Sequence, residues 1–377
     1  MSFTINTNES TVINMVKIAI IGTGNMGRQY ADMIYSGSAG RLRLTALVCR
    51  SEEALVWGKG FKDVLICRSE DELFANADKF DALMIATPHK THPALAYKAF
   101  ALGKHVFCEK PAGILACDAL EMAQAAEKAG VKYALMFHQR LRPEYIYLKN
   151  MIENGEFGTI HRMSYVSTRY FRTNAYHKSS PWRSTIAGEG GGALINQGQH
   201  PLDMWQWFFG LPKELYALVK FGKYNDFDVE DEASILMDYS DGRTGSFIIS
   251  TAEGIYEDRL IISGSKKAAE LNGENLKITT FSSDTDEYRK TADVHARDLL
   301  EETFETTDFD PTPGRELYTG MLKNFADAII DDTPLIVPGS EGVGALLLTN
   351  GAYLSQQLGR RIQIEEIIPS FKGLDMI

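Results

Sequence analysis

A glycine-rich segment near the start of the chain has the spacing of a phosphate-binding turn. It directly follows an apolar run, opens a helical pattern, and reads Gly22, Thr23, Gly24, Asn25, Met26, Gly27. In a G-x-G-x-x-G turn the first glycine makes the tight bend, the second lets phosphates approach the backbone, and the third allows close helix packing. Amides at the helix N-terminus would then bind a pyrophosphate. This context favours a dinucleotide site over a merely structural turn.

The residues after the second predicted strand bear on the choice between NAD and NADP. An acid at this place normally binds the ribose hydroxyls of NAD, but this sequence has Arg50 and Ser51. Arg50 could pair with a 2′-phosphate and Ser51 could donate a further hydrogen bond, so the sequence favours NADP. Glu52, one residue later, leaves NAD open. Arg50 could also be a solvated loop residue.

Alternating short strands and helices position these residues. From residue 16 to about 138, apolar runs alternate with amphipathic stretches, which is typical of βαβ units and a parallel sheet. The predicted strands are 16–21, 44–49, 82–86, 106–108 and 133–137. Helices are predicted at 91–102 and at 118–129, the second with Asp118 as its N-cap and Gly130 just after its end.

The remainder of the chain has a different pattern. After a predicted helix at 143–153, longer alternating strands appear, such as ASILMDY and TGSFIIS around the turn Ser240-Asp241-Gly242-Arg243. These predict an antiparallel sheet, and a helical pattern at 340–358 follows. The predicted class is α/β, with a polar tail at 1–15, a doubly wound Rossmann domain at 16–140 and a second domain at 141–377.

Composition excludes several classes of function. The net charge is −11 and no long basic run occurs, which argues against a nucleic-acid partner. The first fifteen residues lack the features of a signal peptide and no run reaches transmembrane length, so we expect a cytoplasmic protein without a membrane partner. The cysteines lack C-x-x-C spacing and are interpreted as reduced thiols: Cys49, Cys67, Cys108, Cys117.

Further motifs carry a family resemblance. Thr87-Pro88 ends a predicted strand, His92 opens the next helix, and the segments GKHVFCEKP and GGGALINQGQHPLD follow. Together with the glycine-rich turn they resemble the glucose-fructose oxidoreductase/inositol dehydrogenase (Gfo/Idh/MocA) family, from Val16 nearly to the C-terminus. The resemblance implies a C-terminal α/β domain with a large, mostly antiparallel open sheet. It also implies that residues 141–377 form the substrate-binding and oligomerisation domain. We expect a homodimer or homotetramer, since that sheet often forms the oligomer contact in the family.

Glu109-Lys110-Pro111 matches the family's E-K-P motif. The resemblance implies that Lys110 reaches the reacting hydroxyl near the nicotinamide ribose, that Glu109 supports it, and that the proline bond is often cis. Hydride leaves a carbinol carbon only as its oxygen loses a proton, so such a site needs a base and a fixed positive charge. Lys110 can supply that charge, although it could also be a surface lysine after a strand.

His200 matches the histidine of the family's D-x-x-x-H pair, the implied proton acceptor and donor. Four residues earlier, on the same predicted helical face, Asn196 stands where the family usually has Asp. An amide can neither take up a proton nor neutralise Lys110, so we expect Asn196 to orient the substrate or the catalytic groups by hydrogen bonds. An uncompensated Lys110 would also suit a substrate that carries a carboxylate.

The resemblance extends to the residues around this pair. His89, where the family more often has Asn, is expected to face the cofactor with Thr87, Pro88 and His92. A zinc site at the two histidines is not expected, because no suitable third ligand lies nearby. Gln139 and Arg140 match positions where relatives place cofactor-side residues at the domain junction.

An aromatic and basic loop before the glycine-rich segment is predicted to form a substrate wall. Rings stack on sugar faces and guanidinium groups bind hydroxyls or a carboxylate. These side chains could equally pack the domain interface. The loop residues of this type are Tyr170, Arg172, Tyr176, His177, Trp182 and Arg183.

The predicted function is reversible oxidation of a secondary hydroxyl of a sugar, inositol or related polyol with NADP or NAD. Two other classes stay open on the same fold: a cofactor-binding regulatory protein, and a glycosidase that uses bound NAD as a transient oxidant. Retention of Lys110 and His200 counts against the regulatory class. The glycosidase would act on a glycoside without added nucleotide.

Overall fold

The computed structural model describes residues 14–224, 226–293, 295 and 300–371. Residues 1–13 of the predicted polar tail lie outside this part. Within it, no helix combines the length and the apolar character needed to span a lipid bilayer.

The first sheet is parallel and has six strands in the order β3-β2-β1-β4-β5-β6. They are β1 Val16–Ile21, β2 Leu42–Val48, β3 Leu65–Cys67, β4 Ala82–Ile85, β5 His105–Cys108 and β6 Tyr133–Leu135. This order confirms the predicted doubly wound sheet, whose order reverses between β1 and β4, where ligands bind in such folds. Sequence reasoning missed β3 because it is only three residues long and partly exposed.

Helices cover both faces of this sheet. They are α1 Asn25–Tyr35, α2 Glu52–Gly58, α3 Glu70–Ala75, α4 His92–Ala101 and α5 Ala116–Ala129. Gly130 ends α5 in the left-handed conformation, as predicted. The prediction of Asp118 as its N-cap is wrong, since α5 begins at Ala116. The Ala116 amide donates instead to the side-chain oxygen of Asn350 at 2.8 Å, so a distant residue satisfies this helix end.

The second sheet confirms the predicted large, mostly antiparallel architecture. Its nine strands lie in the order β14-β13-β12-β11-β7-β10-β9-β8-β15, and only β7 and β10 pair in parallel. They are β7 Ile160–Ser167, β8 Glu214–Phe221, β9 Glu230–Asp238, β10 Thr244–Ser250, β11 Asp258–Gly264, β12 Lys267–Asn272, β13 Asn275–Phe281, β14 Glu302–Asp308 and β15 Ile362–Gln363. The predicted hairpin is β9–β10.

Helices pack on one face of the second sheet and fill the junction between the sheets. They are α6 Pro143–Glu153, α7 Asn174–His177, α8 Gln199–Phe209, α9 Thr285–Thr291, α10 Gly314–Asp331, α11 Gly342–Leu358 and α12 Ile364–Phe371, with a π-helical turn at Ala193–Gln197. Trp205 of α8 is fully buried against Phe247 of β10. The opposite face leaves Leu218, Leu236 and Ile248 exposed.

Helix α10 returns to the first sheet although it lies far beyond residue 140. The Phe325 ring meets the Phe107 ring of β5 edge to face, with centroids 5.1 Å apart, and both rings are fully buried. Arg41 donates to Asp327 from Nε at 3.0 Å and also pairs with Asp331. The division at residue 140 therefore stays a prediction about sequence ranges, while the core of the first unit includes residues from the C-terminal part.

Candidate functional site

Two cavities adjoin at the carboxyl ends of the first sheet's strands. One of about 660 Å³ is lined by the glycine-rich turn, the ends of β2 and β4, and the loop before the second glycine-rich segment. The other, of about 290 Å³, extends from Lys110 to His138 and His200. The residues that line both are Met26, Glu109, Lys110, Arg172 and Asn196. The two cavities thus form one continuous cleft between the sheets.

The glycine-rich turn has the shape that a dinucleotide pyrophosphate requires. A Cβ on Gly22, whose φ is +103°, would lie 2.3 Å from the Ala86 carbonyl oxygen, so only glycine fits. Gly24 faces open space, with nothing within 4 Å of its Cβ position. Gly24 is also the N-cap of α1, which has neither a side-chain cap nor an acid in its first turn. Uncapped amides facing the cleft fit a bound phosphate group.

Arg50 and Ser51, after β2, line the same cleft but already have protein partners. Arg50 pairs with Glu70 at 2.7 Å, and Ser51 accepts from the Ala54 amide as the N-cap of α2 at 3.1 Å. The Glu52 side chain pairs with Arg68 at 2.8 Å. A 2′-phosphate would therefore compete with Glu70 for Arg50.

The loop after β4 is fixed by a buried histidine. Both ring nitrogens of His92 lie 2.8 Å from carbonyl oxygens, Nδ1 from that of Pro111 and Nε2 from that of Thr87. Burial lowers the pKa of His92. His92 does not line either cavity, whereas Thr87, Pro88 and His89 line the larger one. His92 therefore supports this loop from behind.

His89 packs between the loop and the second domain. Its Nδ1 lies 3.0 Å from the Glu189 carbonyl oxygen, and its ring meets Trp182 edge to face. Burial, and then the Lys110 charge, hold the pKa of His89 well below its usual value. Among the described residues, no group of three or more His, Cys, Asp or Glu side chains is placed to hold a metal ion.

Lys110 projects from the end of β5 to the second glycine-rich segment. The Lys110–Pro111 peptide bond is cis. The Lys110 ammonium donates to both oxygens of Asn196, to the backbone carbonyl at 2.8 Å and to Oδ1 at 3.1 Å. Neither acceptor is charged, so no carboxylate of the described residues pairs directly with this ammonium.

Desolvation lowers the pKa of Lys110. Two carboxylates oppose this change and two guanidinium groups add to it: Glu109 and Glu189, and Arg172 and Arg183. Glu109 accepts hydrogen bonds from the Tyr30 hydroxyl and, at 3.0 Å, from the Lys110 amide, and burial raises its pKa. Its oxygens are thus committed to holding the turn that carries Lys110.

His200 lies in the smaller cavity beside a second histidine. The ring centroids of His138 and His200 are 4.8 Å apart, and the Nδ1 atom of each is buried without a partner. Desolvation lowers the pKa of His138 to about 3 and holds that of His200 well below its usual value, so both rings are neutral near pH 7. His138 was not predicted, and its position directly before Gln139 was the available signal.

The helical segment that carries Asn196 and His200, predicted to share one helical face, is not a single regular α-helix. Asn196 lies in the π-helical turn, whereas His200 lies in the first turn of α8 after the Gly198 junction. Both nevertheless line the smaller cavity. The turn is held by Glu230, whose carboxylate accepts from the amides of Gly192 and Leu194 at 2.8 Å each. Burial raises the pKa of Glu230 to about 7.

Glu189 is a further residue that sequence reasoning missed. It is 2% exposed, and its Oε1 accepts a hydrogen bond from the Asn196 side-chain amide. Its Oε2 accepts from the Ser184 amide at 2.6 Å, and Arg183 lies 3.8 Å from Oε1. Burial raises the pKa of Glu189. The signal was an acid directly before a run of glycines.

Two arginines alternate with the aromatic rings of the predicted substrate wall. The Arg183 guanidinium lies 4.4 Å from the Tyr176 ring centroid and 4.8 Å from that of Trp182. Arg172 lies 4.4 Å from the Tyr176 centroid and 5.5 Å from that of Tyr170, and its Nε is buried without a partner. All of these line one or both cavities.

His177, Gln139 and Arg140 occupy different places. His177 contacts Ser184 at 2.5 Å and lines neither cavity. Gln139 lines the smaller cavity. Arg140 does not reach the cleft: it makes a bidentate pair with Asp203, at 2.9 and 2.5 Å, and a further pair with Glu341. These contacts hold Arg140 outside both cavities, against Asp203 of α8 and Glu341 directly before α11.

Comparison with known families agrees with this architecture. Residues 16–137 match the profile described as "Oxidoreductase family, NAD-binding Rossmann fold", and residues 145–270 match "GFO/IDH/MocA C-terminal domain". The two ranges together span more than half of the chain.

Similar proteins match over nearly their whole length. The myo-inositol 2-dehydrogenase of Thermotoga maritima is 26% identical, covering 94% of this chain and 100% of its own. The inositol 2-dehydrogenase of Rhizobium meliloti is 25% identical, covering 93% of this chain and 99% of its own. Among solved structures, the WlbA dehydrogenase of Bordetella pertussis in complex with NADH and UDP-GlcNAcA has a TM-score of 0.76 at 23% identity, over 93% and 98%.

The fold and its glycine-rich cleft define an NAD-binding oxidoreductase. The chain belongs to the GFO/IDH/MocA family of these enzymes. The resemblance inferred from the motifs and the expectation of a nicotinamide-dependent dehydrogenase are confirmed at the level of the family. The roles of individual cleft residues remain predictions.

Proposed function

We propose that the protein transfers a hydride between a secondary hydroxyl of a sugar, an inositol or a sugar derivative and a nicotinamide cofactor. The observation that carries this proposal is the position of the Lys110 ammonium, in the wall shared by the two cavities. One cavity suits a dinucleotide and the other suits a compact polar substrate. The relatives named as inositol dehydrogenases support the substrate class.

Each cleft residue has a distinct part in this proposal. A bound dinucleotide, held at Gly22–Gly27, would supply the hydride acceptor. The Lys110 ammonium stabilises the developing alkoxide oxygen, and the neutral His200 imidazole accepts the hydroxyl proton. Asn196 orients Lys110 through its two oxygens. Glu109 holds the turn and takes no proton from the substrate.

The choice of cofactor depends on Arg50. We favour NADP over NAD because no acid occupies the end of β2 and Arg50 lines the dinucleotide cavity. Its pair with Glu70 is exposed, and such pairs are worth only about 0–1 kcal/mol, so a 2′-phosphate could displace it.

Within the substrate class, Arg172 favours a molecule that carries a carboxylate. Among the described residues its guanidinium has no hydrogen-bonding or ion-pair partner, although two tyrosine rings hold it at the cleft wall. A buried donor without a partner is costly, and a bidentate carboxylate would satisfy it. A sugar acid is therefore a better candidate than a neutral inositol.

Steady-state assays test the function. We expect reduction of NADP or NAD with at least one member of a panel of sugars, inositols and sugar acids. Lys110→Ala should abolish turnover while retaining cofactor binding, whereas Lys59→Ala, at an exposed surface lysine, should behave as wild type. Cofactor binding without turnover of any substrate would instead favour the regulatory class. Cleavage of a glycoside without added nucleotide would favour the glycosidase.

The assembly and location of the protein are also part of the proposal. The open face of the second sheet exposes Leu218, Leu236 and Ile248 and is the surface where we expect a second copy to bind. Sedimentation equilibrium of wild type and of Leu236→Glu, which should dissociate the assembly, tests this. The four buried free thiols suit the cytoplasmic location that we infer from the sequence.

A further inference from the structure

A buried carboxylate, that of Glu189, is connected to Lys110 through a side-chain amide. Lys110 donates to Asn196 Oδ1, and the Nδ2 of the same amide donates to Glu189 Oε1 and, at 3.2 Å, to the Tyr176 hydroxyl. The three side chains thus form a chain of hydrogen bonds from ammonium to amide to carboxylate. No hydrogen bond joins Lys110 and Glu189 directly.

The carboxylate fixes which way the amide points. An ammonium can only donate and a carboxylate can only accept, so the amide oxygen must face Lys110 and the amide nitrogen must face Glu189. In the flipped orientation the amide NH2 group would face the Lys110 ammonium, donor against donor, and the amide oxygen would face the Glu189 carboxylate, acceptor against acceptor. Glu189 is itself held at both oxygens, by the Ser184 amide and the Asn196 amide, so it is a rigid reference point.

We propose that Glu189 is the positioning residue for Lys110, setting the orientation of the Asn196 amide and keeping the ammonium charged. This inference rests on the proposed function. Glu189 lines neither cavity of the cleft, so it acts through Asn196 and not on the substrate. Glu189 therefore provides a buried carboxylate behind the cleft wall, seven residues before position 196.

The charged and titratable groups around Lys110 are few. On its own turn lies Glu109, and from the second domain come Glu189, Arg172 and Arg183. Lys110 also affects four histidines: His89, His92, His138 and His200. Because all four histidine pKa values are lowered, these rings are neutral above pH 7, and the carboxylates and guanidinium groups decide how Lys110 titrates there.

The first test is the pH profile of Glu189→Gln. Glutamine keeps an acceptor for the amide but removes the charge that opposes loss of the Lys110 proton. The basic limb of kcat should therefore move to lower pH, by about half to one unit, with little change in KM. Glu144→Gln is the matched control, since Glu144 is 1% exposed and pairs with Arg142 away from the cleft.

The second test exchanges the two groups. Asn196→Asp alone places a second carboxylate against Glu189, so one of the pair must keep a proton. Its urea midpoint should fall relative to wild type as the pH rises from about 5 to 8. Asn196→Asp/Glu189→Gln restores one carboxylate and one amide, so it should parallel wild type in stability and return the basic limb to the wild-type position or above it.

The outcomes separate this inference from the proposed function. An unchanged basic limb in Glu189→Gln, or no recovery in the double variant, would mean that Glu189 only folds its loop. If the wild-type protein oxidises no substrate, the function fails, yet the urea measurements still decide whether positions 189 and 196 share one charge. If the Glu189→Gln protein fails to fold, the basic limb and the stability of the Asn196→Asp/Glu189→Gln variant decide the question.

Discussion

The two walls of the cleft are built in different ways. On the dinucleotide side, backbone shape makes the site: Gly22 fits against Ala86 with no room for a side chain, and α1 leaves its first amides uncapped. On the substrate side, side chains from separate segments hold one another, as Glu230 holds Gly192 and Leu194. The first wall depends mainly on backbone shape, and the second on pairs of side chains and amides from separate segments.

The largest expected effect lies on the backbone side. Gly22→Ala forces a Cβ into the Ala86 carbonyl at a left-handed φ, so dinucleotide affinity should fall at least ~100-fold, and calorimetric titration with NADH or NADPH measures it. Gly24→Ala is the matched variant. No protein atom lies within 4 Å of a Cβ at this position, so the added methyl group would obstruct only the ligand. Equal loss of folding stability in both variants would contradict this distinction.

The next effect lies on the side-chain wall and depends on pH. Because the folded state raises the pKa of Glu230 to about 7, it holds a proton there that the unfolded chain has released. Protonated Glu230 therefore contributes to the free energy of unfolding, on the order of 3 kcal/mol, and this contribution should be lost as the pH rises from about 4.5 through 7. In urea unfolding, the free energy of unfolding of Glu230→Gln should not show this decline between pH 4.5 and 7.

Glu127→Gln, at an exposed position, controls for the change in net charge. Retention of the full decline in Glu230→Gln would show that other groups cause it. The variant also loses one acceptor for the Gly192 and Leu194 amides, so at pH 5 we expect it to be about 1–2 kcal/mol less stable than wild type.

A smaller effect is expected at the wall itself. Arg172→Ala should raise KM for an acidic substrate by about 10- to 100-fold, since a hydrogen-bonded charge pair is worth about 1.5–3 kcal/mol, and leave KM for a neutral polyol nearly unchanged. Initial rates with a sugar acid and its corresponding aldose measure this. Arg172→Lys keeps the positive charge but lacks the planar guanidinium group. Its KM for the acidic substrate should lie between those of wild type and Arg172→Ala. Equal losses for both substrates would assign Arg172 to packing.

The smallest effect returns to the dinucleotide side. Glu70→Gln frees Arg50 from its exposed pair, so the ratio of kcat/KM for NADP over NAD should rise up to about 5-fold. Arg50→Ala should reverse the ratio. No change in either variant would mean that Arg50 does not reach the cofactor, and that backbone shape alone governs this wall.

The sequence predicted the dinucleotide wall well because its determinants are close together along the chain. The strand, turn and helix around Gly22 follow from about twenty residues, as do the hairpin β9–β10 and the Gly130 helix end. The position of Lys110 after β5 was predicted through a family motif, since no local rule places a lysine in a cleft.

The substrate wall was only partly predictable. Glu189, His138 and Glu230 gain their importance from partners that the fold brings near. The local signals at His138, next to Gln139, and at Glu189, before a run of glycines, do not reveal those partners. Arg140 was misplaced for the same reason, because its partners Asp203 and Glu341 lie 63 and 201 residues away. Long-range pairing also explains why the prediction for the start of α5 was wrong. The Asn350 side chain, and not that of Asp118, accepts a hydrogen bond from the first turn of this helix.

The return of α10 to the first sheet affects how the protein is made. The ribosome releases β1 to β6 long before Phe325 and Asp327 exist, so the nascent first unit lacks the ring that covers Phe107 and the acid that pairs with Arg41. Its apolar face stays open until most of the second unit has been synthesised. We therefore expect the two units to complete their folding together near the end of translation, and a fragment cut at residue 140 to expose this surface and aggregate.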